Sequence, residues 1–169
     1  MIGSSHNEDT KEFHKYIDTT KFSKEIEEAI KGMLRVVLTN EENDINLDFE
    51  DFKIILSHGG MVFSGIGEYE GKSAAIEAVQ LAIKNSSLDY SLMDKITGVL
   101  VHFVIHPDLE IINLAEAMEL INENANEEAE IIFGTTTKNS VSKSCVKATV
   151  LFTGYEKNEY KNTILNNIE

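Results

Sequence analysis

Thr97-Gly-Val-Leu-Val-His-Phe-Val-Ile105 is the stretch that decides the architecture of this chain. Val99, Val101, Phe103 and Ile105 alternate with Leu100, His102 and Val104, so an extended segment here is largely apolar on both faces. A strand with one wet face is polar at every second position. One that is apolar on both faces is covered on both, in the interior of a sheet. Pro107 removes a ladder donor and ends the strand. Asp108 is positioned to cap a helix running to about Asn124, with Ile111, Leu114/Ala115, Met118 and Ile121 as its buried stripe. Beyond it, Ala129 to Thr136 and Cys145 to Thr153 read as two more strands, the second with Val146, Ala148, Val150 and Phe152 on one face.

Towards the N-terminus, Ser73 to Lys84 is helical, with Ala75/Ile76, Val79 and Ala82/Ile83 inward. Met61 to Gly67 reads as a strand, followed by a turn over Glu68 to Gly71. A short helix from about Phe49 to Leu56 carries Phe49, Phe52 and Ile55/Leu56 on one face, and Ser57-His-Gly-Gly60 stops it. Ser23 is the N-cap expected for Lys24 to Leu38, where Ile26, Ala29/Ile30, Met33/Leu34 and Val37 recur at helical spacing. Thr39 to Asp44 is a polar loop. Residues 1–20 are polar, with Phe13, Tyr16 and Ile17 as the stripe of a short helix, and a polar, loose tail is expected from Tyr155. Four strands interleaved with helices imply an α/β (α+β) fold. The expected form is a two-layer sandwich with a four-stranded mixed sheet, preceded by a long helix.

The bulk properties narrow the function. A chain of 169 residues can bury a sizeable core. With 15 basic against 29 acidic residues the formal charge is −14. That balance opposes binding to a nucleic-acid backbone or an anionic membrane surface. No apolar run approaches the length of a membrane span, and the start lacks the basic and apolar regions of a signal peptide. One Cys and no Cys/His cluster of zinc spacing leave no disulfide and no zinc site to expect. The expectation is a cytoplasmic protein.

Few constellations carry chemistry. Gly65-Ile-Gly-Glu-Tyr-Glu-Gly-Lys-Ser73 ends like a phosphate-binding loop, but Ile66 stands where the first glycine belongs. The dinucleotide fingerprint fails on spacing too, and Glu68 and Glu70 would face the phosphates. A strand-to-helix turn with close backbone packing accounts for it. His102 and His106 are four apart on a strand, hence about 13 Å, too far to share one metal. His102 reads as a core histidine and His106 as a strand-end residue. Cys145 has no evident activating base, and His58 either lines a pocket or meets the end of a helix. Asn46-Leu-Asp-Phe-Glu-Asp51 remains. Asn46 or Asp48 can cap a helix there, with Asp51 complementing its dipole. Alternatively Asp48 and Asp51 form an outward pair that orients an attacking water or shares a cation. Spacing leaves both readings open.

At this loop the chain resembles FtsZ, the bacterial tubulin-like division protein. Ala29-Ile-Lys-Gly32 and Asp44-Ile-Asn-Leu-Asp-Phe-Glu-Asp51 resemble the end of that family's central helix and its synergy loop. The likeness continues through Phe63-Ser-Gly-Ile-Gly-Glu68, Ile96-Thr-Gly-Val-Leu-Val101, Pro107-Asp-Leu109, Glu130-Ile-Ile-Phe-Gly134 and Val150-Leu-Phe-Thr-Gly154. Asn43-Asp44 depart from it, standing where the family usually has a glycine and an apolar residue. Negative charge there is expected to weaken docking near bound phosphates.

The resemblance implies a division of the chain into a polar extension (1–20), a central-helix segment and loop (21–44), a C-terminal-like domain (45–155) and a polar tail (156–169). The tail lacks the apolar-acidic end peptide with which the family grips its membrane tethers. No Gly-rich phosphate loop precedes the central helix, so the expectation is a C-terminal half without the half that holds GTP. Asn46, Asp48 and Asp51 would then act in trans, completing GTP hydrolysis in the nucleotide pocket of a neighbouring subunit, with no cofactor of their own. The function implied is an interaction module of cell division at the septum. It would dock on an FtsZ-type nucleotide domain and complete its GTPase site or cap filament polymerisation. The alternatives are a self-associating scaffold and, less favoured, a small enzyme using Asp48/Asp51 or a cleft near His58. Without a partner domain, the stripe on the central helix is expected to be partly exposed. That helix would then pack on the sheet only near its C-terminal end, or pair with another copy.

Overall fold

The computed structural model describes residues 23–37 and 44–156. The elements are helix α1 (Lys24–Val37), helix α2 (Phe49–Ser57), strand β1 (Met61–Glu70) and helix α3 (Ala74–Asn85). After a short 3-10 helix (Tyr90–Lys95) come strand β2 (Gly98–Ile105), helix α4 (Ile111–Asn124), strand β3 (Glu130–Thr137) and strand β4 (Cys145–Tyr155). The short helix expected around Phe13, the middle of the loop after α1 and the tail beyond Glu156 lie outside the described residues.

The sheet has the order β1-β4-β2-β3. β4 pairs antiparallel with both β1 and β2, while β2 and β3 run parallel, so the sheet is mixed. β2 is interior, as its two apolar faces require, and all its residues but Val104 are buried. On one face Val99, Val101, Phe103 and Ile105 of β2 meet Val146, Ala148, Val150 and Phe152 of β4 under α3 and α4. Phe103 and Phe133 pack edge to face, with centroids 6.4 Å apart.

The glycine-rich stretch belongs to this face. Gly65 and Gly67 bring β1 so close to α3 that a Cβ on either would run into the carbonyls of Ala82 or Ala78. The pattern serves helix–strand packing, as expected. Ser73, in the left-handed region at φ 58°, opens α3 without a side-chain cap.

The second face is also covered. Ile30, Met33 and Leu34 of α1 and Phe52 and Ile55 of α2 pack with Leu47 on Leu100 and Leu151. The expected α+β fold with a four-stranded mixed sheet is thus present, but α1 and α2 cover its far side, so helices flank the sheet on both faces where two layers were expected. Packing of α1 near its C-terminal end alone is contradicted: Ile26 already lies against this cluster and Ile30 is 1% exposed. The sheet itself offers α1 an apolar surface, so its stripe does not wait for a second domain. The helix starts as read, with Ser23 Oγ accepting from the Ile26 N–H at 3.4 Å.

Four local expectations are corrected. β1 runs through Glu70, because β4 is long enough to pair with it as far as Cys145. Tyr155 does not begin a loose tail; it is the last, fully buried residue of β4. Asp108 does not cap α4, because its carboxylate is drawn to Lys143 Nζ at 2.6 Å, and that ion pair holds its pKa below the usual range. The buried stripe of α4 is Leu114, Ala117 and Ile121, whereas Ile111 is 62% exposed and Ala115 is also exposed.

Candidate functional site

The acidic loop is the entry to α2. Asp48 is the N-cap: its Oδ1 accepts from the Asp51 N–H at 3.0 Å, and Asp51 Oδ2 accepts from the Asp48 N–H at 2.8 Å. This reciprocal box satisfies two of the N–H groups that a helix start leaves unpaired. Each carboxylate uses one oxygen in the box, and the other makes no hydrogen bond among the described residues. Asp48 and Asn46 are exposed and Asp51 is half-buried. Asn46 does not cap. Glu50 lies on the same first turn, paired with Lys53 at 3.2 Å, so the rim is strongly anionic.

The loop is anchored from below. Leu47 between Asn46 and Asp48 is 3% exposed and fits beside Gly134, where a Cβ would meet its side chain. The Thr135 N–H donates to the Ile45 carbonyl at 2.9 Å, and Thr135 Oγ1 accepts from the Ile45 N–H at 2.9 Å. The Thr137 N–H donates to Asp44 Oδ1 at 2.7 Å. The structure therefore gathers Asn46, Asp48 and Asp51 at one helix N-terminus and fixes the backbone beneath them. Sequence reading missed Thr135 and Thr137. The signal available was a run of threonines on a strand whose outer edge needs partners for its N–H groups.

The other candidates take structural places. His102 is 2% exposed and bonds Thr136 Oγ1 at 2.9 Å. Burial pushes its pKa down to about 4, Asp44 opposes that shift, and Lys138 and Lys147 add to it. It is the neutral core histidine expected. His106 lies past the strand end, where its Nδ1 accepts from the Asp108 N–H at 3.0 Å. His58 caps the end of α2 and meets Thr97 Oγ1 at 3.1 Å and Glu130 Oε2 at 2.9 Å, tying α2 to the starts of β2 and β3. Cys145 is buried 3.5 Å from Glu68 Oε1; burial first, then that carboxylate, raises its thiol pKa. A raised pKa makes it a poor nucleophile. Among the described residues no group of three or more His, Cys, Asp or Glu could hold a metal.

The comparisons with known proteins bear on the family and the fold. The family described as FtsZ family, C-terminal domain, matches residues 60–156. The cell division protein FtsZ of Helicobacter pylori (strain ATCC 700392 / 26695) is 30% identical over 148 residues, covering 85% of this chain and 38% of that protein. Cell division protein FtsZ 2 of Pyrococcus furiosus is 33% identical over 129 residues, covering 76% of this chain and 31% of its own length. An empty FtsZ dimer structure from M. jannaschii superposes with a TM-score of 0.62 at 30% identity, over 75% of this chain and 36% of that one. CetZ2 from Haloferax volcanii, in a GTPγS-bound protofilament, shares the fold at TM-score 0.55 and 16% identity, over 72% of this chain and 37% of that one. The chain spans less than two-fifths of the length of these relatives.

Proposed function

This chain belongs to the FtsZ family and carries its C-terminal domain, and from that premise we propose that it is a protein-interaction module that docks on an FtsZ-type nucleotide domain. The observation that supports this reading is the acidic loop: Asn46 and Asp48 are exposed at a helix start whose backbone is pinned to the sheet. Docked, the loop completes a GTPase site in trans. The free oxygens of Asp48 and Asp51, with Asn46, orient a water for attack on the γ-phosphorus. The bond from that phosphorus to the β,γ-bridging oxygen breaks, giving GDP and phosphate, and the water's proton passes through a carboxylate to solvent. The nucleotide and its ion belong to the partner domain. Docked at a filament end, the module would also cap it.

No described helix is long and apolar enough to cross a membrane, and we assign the module to the cytoplasm, at division filaments of the septum. Docking is tested by sedimentation velocity of the chain with an isolated FtsZ nucleotide domain loaded with a slowly hydrolysed GTP analogue. A saturable one-to-one complex is expected. Two separate boundaries at tens of micromolar of each protein would refute docking.

A further inference from the structure

β3 is an edge strand, and the N–H groups of Thr135 and Thr137 point away from β2, towards the loop before α2. Both threonines are buried, at 3% and 8% exposure, so these donors need partners inside the protein. Ile45 serves the first with its carbonyl. The second is served by a side chain, Asp44, in a charge-assisted bond of 2.7 Å. With Leu47 seated beside Gly134, three of the four residues 44–47 are tied down, and the one that is not tied is Asn46. A backbone held on both sides of Asn46 has little freedom left at that residue or at Asp48.

We propose that Asp44 is a positioning residue: its carboxylate clips the loop to the outer edge of β3 and thereby sets where Asn46 and Asp48 stand. This changes the meaning of the departure at position 44. The bonded oxygen is turned inward to the Thr137 N–H, so the side chain is engaged with its own sheet instead of being presented to bound phosphates. The clip itself follows from the geometry alone; its consequence for a partner rests on the docking reading above.

The test uses the full chain and three variants. Asp44→Asn keeps an oxygen acceptor and removes the charge. Asp44→Leu is similar in size and removes the acceptor. Thr135→Val removes the acceptor for the Ile45 N–H and keeps the shape of the side chain. Amide hydrogen exchange is followed residue by residue. In Asp44→Leu the Thr137 amide should exchange roughly tenfold faster, the equivalent of one lost hydrogen bond. Val101 and Phe103 should be unchanged, and Asp44→Asn should stay within about threefold of wild type. In Thr135→Val the Ile45 amide should speed up in the same way.

The second readout is stimulated GTP hydrolysis by an FtsZ nucleotide domain lacking its own loop. Asp44→Leu should raise the concentration needed for half-maximal stimulation by roughly tenfold, because a loose loop must be ordered on docking. The maximal rate should hold, and Asp44→Asn should restore most of the affinity. Unchanged Thr137 exchange in Asp44→Leu, or equal acceleration of core amides, overturns the clip. Absence of stimulation by wild type overturns the docking reading alone, since the exchange result still decides the clip.

Discussion

The two faces of the sheet are built on different principles. Under α3 and α4 the contact is apolar throughout, from Val99 and Phe103 to Val146 and Phe152. Under α1 and α2 a smaller apolar cluster shares the surface with His102, Thr136 and Thr153. Thr153 Oγ1 donates to the Ile55 carbonyl at 2.6 Å, and His102 bonds Thr136. Hydrophobic burial is non-directional and grows with area, so it stabilises without aiming anything. Hydrogen bonds are directional, and the second face uses them to hold α2 and its acidic entry loop at one angle. Stability is concentrated on the first face and orientation on the second.

Substitutions can break that contrast. Phe103→Ala on the first face should destabilise by about 3–5 kcal/mol, because a fully buried ring in a closed layer leaves a cavity. Urea denaturation measures it, and a loss near 1 kcal/mol would mean the first face is not the stability core.

Acidification should act on the second face. His102, with its pKa depressed to about 4 by burial, is neutral in the folded protein, while in the unfolded chain it titrates near 6.5. Between these values the unfolded state binds more protons. The stability present above pH 6.5 therefore falls as pH drops, by about 3 kcal/mol at pH 4. Comparing urea midpoints of wild type and His102→Gln across this window isolates the effect from that of the carboxylates. Equal slopes for the two proteins would remove His102 as the cause.

Ile30→Ala should remove somewhat less than the Phe103 change, about 2–3 kcal/mol, because α1 can settle into the space left. Exchange should accelerate along α1 while β2 amides keep their protection. Uniform acceleration would join the two faces into one unit.

Much of this was legible in the sequence. The apolar alternation on both faces of β2 named an interior strand, and helix periodicities located the four α-helices of the described residues. Gly65 and Gly67 were read as close packing, which α3 confirms by the approach of its backbone. What escaped was set by tertiary partners. Asp108 looked like a cap until Lys143 claimed its carboxylate. Tyr155 looked like the start of a tail, yet it lies opposite Met61 in the sheet. In the site, Asp48 and Asp51 were visible as residues, but the anchors Thr135 and Thr137 lie about ninety positions from the loop residues they hold. No local pattern links residues so distant in the chain.

The smallest structural effect carries the functional claim. Asn accepts hydrogen bonds as Asp does, so Asp48→Asn/Asp51→Asn should keep the capping box, lowering stability by a few tenths of a kcal/mol at each site. The decisive measurement is phosphate release from GTP by an FtsZ nucleotide domain without its own loop, with saturating wild-type chain or this double variant added. We predict that wild type accelerates release, while the variant, equally folded and equally bound, leaves the rate roughly 100-fold lower. If bound wild type leaves the basal rate unchanged, or the variant stimulates as well as wild type, Asp48 and Asp51 are helix caps and nothing more.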